Sequence, residues 1–136
     1  MIVADVNLLA YLLRGGPETD LAQHVFERDP AWAAPVLWRS EFRSMLAAYM
    51  RRGGLGIAEA WQAHELAEEL VGAHDYTVGG ECVLHLVAAS ACSASDCEYV
   101  ALAEALHVRL VTSDGEVLRD FPRVAIHPKE CVCGTA

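Results

Sequence analysis

The sequence predicts an α/β fold, a three-layer sandwich in which helices flank a mostly parallel central sheet of four to five strands. Short apolar runs, of which Met1–Ala4 is the first, are typical of buried strands. Longer segments between these runs carry apolar residues at helical spacing, and the two kinds of segment alternate along the chain. Binding sites in such sheets form beyond the carboxyl ends of the strands.

The strands are predicted from these apolar runs. In chain order they cover residues 1–5, Ala33–Leu37, Tyr76–Val78, 108–112 and Val124–Ile126. Helical segments separate them, which is the order expected of a mostly parallel sheet. A cysteine-bearing tail follows the last strand.

The first two helices are bounded by glycine and proline. The first covers Asn7–Leu13 and ends at Gly15-Gly16. The second begins near Pro17, which suits a first helical turn, and ends before Pro30.

The middle helices are predicted from apolar spacing. The helix over Arg39–Arg52 carries apolar residues at i, i+3, i+4 and i+7, namely Phe42, Met45, Leu46 and Tyr49. The next helix, Ile57–Val71, is expected to place one apolar side inward: Ile57, Trp61, Ala67 and Leu70. A further helix follows over Glu81–Ala91.

Two serine motifs predict the last helix starts. Ser95 and Glu98 form a capping-box pattern that opens a helix through Leu106. Ser113 and Glu116 repeat the pattern after the fourth strand.

Size and composition predict one domain over residues 1–136. The formal net charge of −9 argues against binding nucleic acid mainly through a basic surface, although bound metals and a few arginines still allow a nuclease. No apolar run reaches the roughly 18 residues of a membrane span, and no signal peptide is expected. The cysteines lack a disulfide-framework spacing, which indicates a reducing cytoplasm: Cys82, Cys92, Cys97, Cys131 and Cys133.

Four carboxylates are predicted to meet at one edge of the sheet. Asp5 ends the first strand, Asp114 follows the fourth, and Glu41 and Asp96 begin helices. Clustered acids repel one another, so a fold keeps them together only around a cation. A hard divalent metal, Mg²⁺ or Mn²⁺, is the expected occupant.

Each acid taken alone also has an ordinary structural explanation. Asp5 would cap the helix that follows it, and the other three suit a first helical turn. Serine caps would, however, leave Asp96 and Asp114 free to point elsewhere. Glu41 and Asp96 also lie on the apolar sides of their helices, where an unpaired carboxylate is costly.

These residues resemble the PIN-domain family and, within it, the small VapC-type toxins of bacterial toxin–antitoxin pairs. The matching segments cover nearly the whole chain in family order: Ile2–Leu9, Ser40-Glu41-Phe42, Ser95–Ala103 and Leu110–Asp114. Cys97, which follows Asp96, stands where a small residue such as alanine is usual.

The resemblance implies a PIN-like fold and a Mg²⁺- or Mn²⁺-dependent endoribonuclease. Carried over by position, the catalytic and metal-binding acids are Asp5, Glu41, Asp96 and Asp114. Asn7 and Thr112 would be polar supports of that site. The resemblance also implies an RNA substrate, a cognate antitoxin protein and a homodimer.

The expected reaction is hydrolysis of an RNA phosphodiester by water, with a 5′-phosphate and a 3′-hydroxyl as products. No histidine is required. Contact with phosphate is assigned to Arg14 and Arg39, which lie near the acidic residues in sequence.

Other functions fit the sequence less well or stay open. A haloacid-dehalogenase phosphatase with Asp5 as nucleophile would need a second aspartate where Asn7 stands. Zinc held by His127, Cys131 and Cys133 would have only three ligands in unusual spacing. A PIN-like module that binds RNA or protein without catalysis, and a PIN nuclease of RNA processing rather than a toxin, remain alternatives.

Overall fold

The structure, a computed structural model, describes residues 1–133 and contains a five-stranded sheet. Its order is β3-β2-β1-β4-β5, with β1 at Ile2–Ala4, β2 at Trp32–Pro35, β3 at Asp75–Tyr76, β4 at Leu110–Val111 and β5 at Ala125–Ile126. The four pairings between neighbouring strands are all parallel. The predicted three-layer α/β fold class is therefore confirmed.

Helices connect the strands, as the alternating pattern predicted. They are α1 Val6–Arg14, α2 Thr19–Arg28, α3 Trp38–Arg51, α4 Ile57–Val71, α5 Gly80–Ala88, α6 Ala94–Leu106, α7 Gly115–Asp120 and α8 Pro128–Cys133. The last of these forms where only a tail was expected, and the rest of that tail lies outside the described residues. Within residues 1–133, no helix is both long and apolar enough to cross a bilayer.

Strand β1 occupies the centre of the sheet and is buried along its whole length. The Ile2 N–H donates to Ala31 O on one side at 3.0 Å, and the Val3 N–H donates to Arg109 O on the other at 2.9 Å. Ala4 pairs in register with Val111 of β4. The carboxyl ends of β1 and β4 consequently lie side by side.

Several predicted boundaries moved by one to three residues, and for two of them the hydrogen bonds show the reason. The third strand lies at Asp75–Tyr76 rather than Tyr76–Val78, because these two residues pair with Ala34 and Pro35 of β2. The fifth helix ends at Ala88, three residues earlier than predicted, where the Ser90 hydroxyl donates to Leu86 O at 2.8 Å and the chain turns away.

The predicted inward face of α4 was only half right: Ala67 is buried and Leu70 packs partly buried against the core, whereas the other two residues face outward. Ile57 and Trp61 are 73% and 58% exposed. The buried side of this helix consists of Ala60, His64, Ala67 and Val71. Small alanine side chains let the helix approach α3 and β2 closely, whereas the bulky tryptophan lies outside and stacks on the ring of His64, 5.9 Å between centroids.

Candidate active site at the carboxyl edge of the sheet

A cavity of about 100 Å³ opens at the carboxyl ends of β1 and β4. Its polar lining contains all four predicted acids and both predicted supports, and one tyrosine besides. The lining residues are Asp5, Asn7, Glu41, Asp96, Tyr99, Thr112 and Asp114, with Val6, Leu110 and Val117 as the apolar part. The structure therefore brings together residues that are up to 109 positions apart in the chain, from Asp5 to Asp114.

Asp5 is held on both of its carboxylate oxygens. It follows β1 directly and caps α1, where its Oδ1 accepts from the Leu8 N–H at 2.8 Å. Its Oδ2 accepts from the Thr112 hydroxyl at 2.6 Å. Asp5 therefore both caps α1 and lines the cavity, so its interpretation as a helix cap is compatible with its interpretation as a metal ligand.

Thr112 links the ends of the two strands. The residue is only 2% exposed, and its hydroxyl oxygen accepts a hydrogen bond from the Asp114 N–H at 3.1 Å while the hydroxyl donates to Asp5 Oδ2. One hydroxyl therefore sets the spacing between the loop after β4 and the carboxylate after β1.

Asp114 is itself the cap of α7, so the expected cap at Ser113 was wrong. Its Oδ1 accepts from the Glu116 N–H at 2.9 Å and from the Val117 N–H at 3.2 Å. The helix begins one residue later than a Ser113 cap requires. The Asp114 side chain therefore accepts from the N–H groups in the first turn of the helix. Both capping bonds use the same carboxylate oxygen.

The cap of α6 was also assigned to the wrong serine. Ser93, not Ser95, has the extended backbone of a cap, and its hydroxyl accepts from the Asp96 N–H at 3.1 Å. The helix begins earlier than predicted, so Asp96 occupies its third position and is half-buried in the cavity wall.

Tyr99 is a site residue that the sequence reasoning missed. It lies one turn after Asp96 on the same buried side of α6, and its hydroxyl donates to Glu41 Oε1 at 2.7 Å. Burial, followed by the bond to Glu41, raises the pKa of Tyr99 far above its ordinary value, so the phenol keeps its proton. The i+3 spacing from Asp96 was the available signal, but it was interpreted only as core packing.

Burial and the charges of neighbouring acids oppose ionisation of two of the four acids, Asp5 and Glu41. Burial, together with the charges of Asp114 and Asp96, raises the pKa of Asp5 to about 6 despite the hydrogen bonds from Thr112 and Leu8. Burial also raises the pKa of Glu41, with added repulsion from Asp96 and Asp5. The cavity is thus an environment in which a bound cation would relieve repulsion.

The donor set fits a hard divalent cation. Four carboxylates supply only oxygen, which Mg²⁺ and Mn²⁺ prefer. Among residues 1–133, no group of three or more His, Cys, Asp or Glu side chains is arranged to hold a metal ion in the present conformation. Mg²⁺ keeps several water ligands and is commonly bound through one or two carboxylates, so the protein does not have to supply every ligand of the ion.

The two arginines assigned to phosphate do not line the cavity. The guanidinium of Arg39 binds Asp75 at 2.8 Å and approaches Glu68 at 3.5 Å. Arg14 lies over the ring of Tyr49 and also donates to its hydroxyl. Both cations are therefore engaged within the chain, and their contact with substrate stays a prediction.

Comparison with known proteins gives matches among solved structures. A toxin–antitoxin complex from Klebsiella pneumoniae is 16% identical, with 94% of this chain and 98% of that chain covered and a TM-score of 0.69. PAE2754 from Pyrobaculum aerophilum is 19% identical, with 97% and 93% covered and a TM-score of 0.76. FitAcB from Neisseria gonorrhoeae is 15% identical, with 95% and 99% covered and a TM-score of 0.75.

These structures share the PIN-like architecture. The chain has the PIN-like fold. The resemblance drawn from the sequence is thereby confirmed at the level of the fold, and the alignments extend over almost the whole length of each chain. No family model and no curated protein matches the sequence. In this PIN-like chain, the roles of the individual acids rest on the cavity that they line.

Proposed function

We propose that this protein is a Mg²⁺- or Mn²⁺-dependent endoribonuclease and acts as the toxin of a toxin–antitoxin pair. One observation carries the nuclease assignment: Asp5, Glu41, Asp96 and Asp114 line one cavity at the carboxyl edge of the sheet. Such a cluster is costly to hold together without a cation.

The four acids would hold the metal. When bound, it acts as a Lewis acid toward the phosphodiester and lowers the pKa of water. The other residues orient the acids. The Thr112 hydroxyl and the Leu8 N–H fix the carboxylate of Asp5, and the Tyr99 hydroxyl fixes that of Glu41. Outer partners of this kind reduce the motion of a ligand and tune its basicity.

RNA is the proposed substrate, cleaved by water to leave a 5′-phosphate and a 3′-hydroxyl. Asn7 is exposed at the start of α1 and lines the cavity, where its amide is available to a water or a phosphate oxygen. Arg14 and Arg39 remain the proposed phosphate contacts, and each would have to leave its present partner to serve.

The proposed partners are a cognate antitoxin and a second copy of the chain. One of the solved structures supports the first, since it is a toxin–antitoxin complex. The formal net charge of −9 suits a partner with a basic segment.

Cleavage of labelled total RNA tests the proposal. Purified protein is incubated with Mn²⁺, with Mg²⁺ or with EDTA, beside two variants. Asp96→Asn removes one charge at the cavity, and Glu104→Gln removes one from the exposed side of the same helix, α6. We expect discrete fragments with a 5′-phosphate that require metal, disappear with Asp96→Asn and persist with Glu104→Gln.

Calorimetry with Mn²⁺ separates the possible failures. Neither cleavage nor Mn²⁺ binding by the wild type would refute the metal-dependent nuclease and leave a binding module. Cleavage without any effect of the cognate antitoxin would retain the nuclease and reject the toxin assignment.

A further inference from the structure

Helix α7 connects two parts of the candidate site. Its first turn is capped by Asp114, one of the four acids, and Val117 in its middle lines the cavity. Its last residue is Asp120. The distance from Asp114 to Asp120 along the helix axis is about 9 Å, given a rise of about 1.5 Å per residue. Asp120 does not line the cavity, and the reaction proposed above does not use it.

Asp120 binds the loop that precedes α6. Its Oδ2 accepts from the Ala91 N–H at 2.9 Å, and the Cys92 thiol donates to the same oxygen at 3.7 Å. Its Oδ1 accepts from the Arg119 guanidinium at 3.0 Å. The Ala91 N–H and then Arg119 lower the pKa of this carboxyl below its ordinary value, so it is ionised at neutral pH and bonds the loop as a charged acceptor.

The loop in turn sets the first turn of α6. Cys92 is buried and is followed directly by Ser93, whose hydroxyl accepts from the Asp96 N–H. The path from Asp120 to Asp96 therefore consists of one carboxylate contact, two peptide units and one capping bond.

We propose that Asp120 is a positioning residue, which fixes the 91–93 loop to the end of α7 and thereby sets Asp96 at the correct distance from Asp114. This inference rests on the proposed metal site. Helix α7 then acts as a rigid spacer: it holds one acid at its start and, through Asp120, the helix that bears another.

Variants at Asp120 test the effect on Mn²⁺ binding. Asp120→Ala removes the acceptor, and we expect the affinity for Mn²⁺ to fall about tenfold, the lower end of what outer-shell changes cost. Asp120→Asn keeps an oxygen that accepts from Ala91, and its affinity should stay within about twofold of wild type. Arg119→Ala removes only the exposed partner of Asp120 and serves as the control.

Calorimetry at a temperature well below the unfolding transition distinguishes positioning from a general loss of stability. Amide hydrogen exchange in the metal-free protein gives an independent readout. We expect faster exchange at Asp96 in Asp120→Ala than in Arg119→Ala, because the capped turn is no longer anchored.

Three results would decide against the proposal. If the wild type binds no Mn²⁺, the metal site itself is refuted. If the wild type binds and Asp120→Ala binds equally well, the site stands and the positioning role is refuted. If Asp120→Ala does not fold, Ser93→Ala interrupts the same path at its last bond, and unchanged Mn²⁺ affinity in that variant overturns the role of the loop.

Discussion

At the scale of single residues, Asp5 shows how structural and chemical roles combine. It follows the central strand, caps a helix and accepts a hydrogen bond from the Thr112 hydroxyl, yet it lies among other acids. Its pKa of about 6 is the result of burial and repulsion outweighing two hydrogen bonds. Folding without metal therefore moves the titration of this side chain toward neutral pH, although the carboxyl is still mostly ionised at pH 7.

Replacing Asp5 with Asn should stabilise the metal-free protein at neutral pH. Because the pKa rises from 3.8 to about 6 on folding, the stability contributed by Asp5 is complete below pH 4 and is lost as the pH rises through 6. A shift of this size corresponds to about 3 kcal/mol, and the variant gives up one hydrogen bond worth about 1 kcal/mol.

We expect Asp5→Asn to raise the free energy of unfolding by about 1–2 kcal/mol at pH 7 in EDTA, and not at pH 4. Urea unfolding at the two pH values measures the difference. A variant less stable than wild type at pH 7 would mean that the hydrogen bonds outweigh the burial of charge.

Tyr99→Phe should weaken both metal binding and the fold. The change removes the bond to Glu41 Oε1, which now holds that carboxylate in place and opposes the rise of its pKa. We expect about tenfold lower Mn²⁺ affinity and a loss of about 1–2 kcal/mol in unfolding free energy. Tyr11→Phe, at a tyrosine that does not line the cavity, is the control, and equal Mn²⁺ titrations of the two variants would contradict a role for Tyr99.

At the scale of elements, the starts of α6 and α7 were harder to predict than the helices themselves. Each start offers a serine and an aspartate within a few positions, and any of these side chains can cap. The choice depends on which residue is extended when the helix begins, and that is decided by the loop before it. The sheet hydrogen bonds of β4 decide it for Asp114, and the contacts of Asp120 decide it for Ser93.

A pair of serine variants tests the corrected start of α6. Ser93→Ala removes the hydroxyl that accepts from the Asp96 N–H and should lower the free energy of unfolding by about 1 kcal/mol. Ser95→Ala changes an exposed residue inside the first turn and should alter it by less than about 0.5 kcal/mol. Chemical denaturation measures both free energies. A larger loss of unfolding free energy in Ser95→Ala than in Ser93→Ala would show that Ser95 is the cap of α6.

At the scale of the whole molecule, divalent metal should stabilise the fold. A ligand at 100 times its dissociation constant adds about 2.7 kcal/mol, which raises Tm by about 10 °C for a domain of this size. The shift should be smaller at pH 5 than at pH 7, because Asp5 with a pKa of about 6 must lose its proton to bind. Thermal unfolding with Mn²⁺ measures this, and an equal shift at both pH values would exclude Asp5 as a ligand.

Much of the architecture was predictable because it depends on local pattern. Apolar runs gave the strands, and their alternation with helices gave a parallel sheet. The acids were found because each stands next to such an element. The burial of His64 and the exposure of Trp61 could not be predicted, because α4 is apolar on more than one side and tertiary packing selects the buried face. The bond between Tyr99 and Glu41 joins residues 58 positions apart, and no local pattern reveals it.

The positions of the strands and acids along the chain also determine when the acidic cavity can form during synthesis. Strand β1 is made first, but one of its two neighbours in the sheet, β4, begins at Leu110 of a 136-residue chain. A chain interrupted within α5 has Asp5 and Glu41 but neither Asp96 nor Asp114. A nascent chain gains the last of the four acids only when Asp114 has been made, so shorter chains cannot form the acidic cavity.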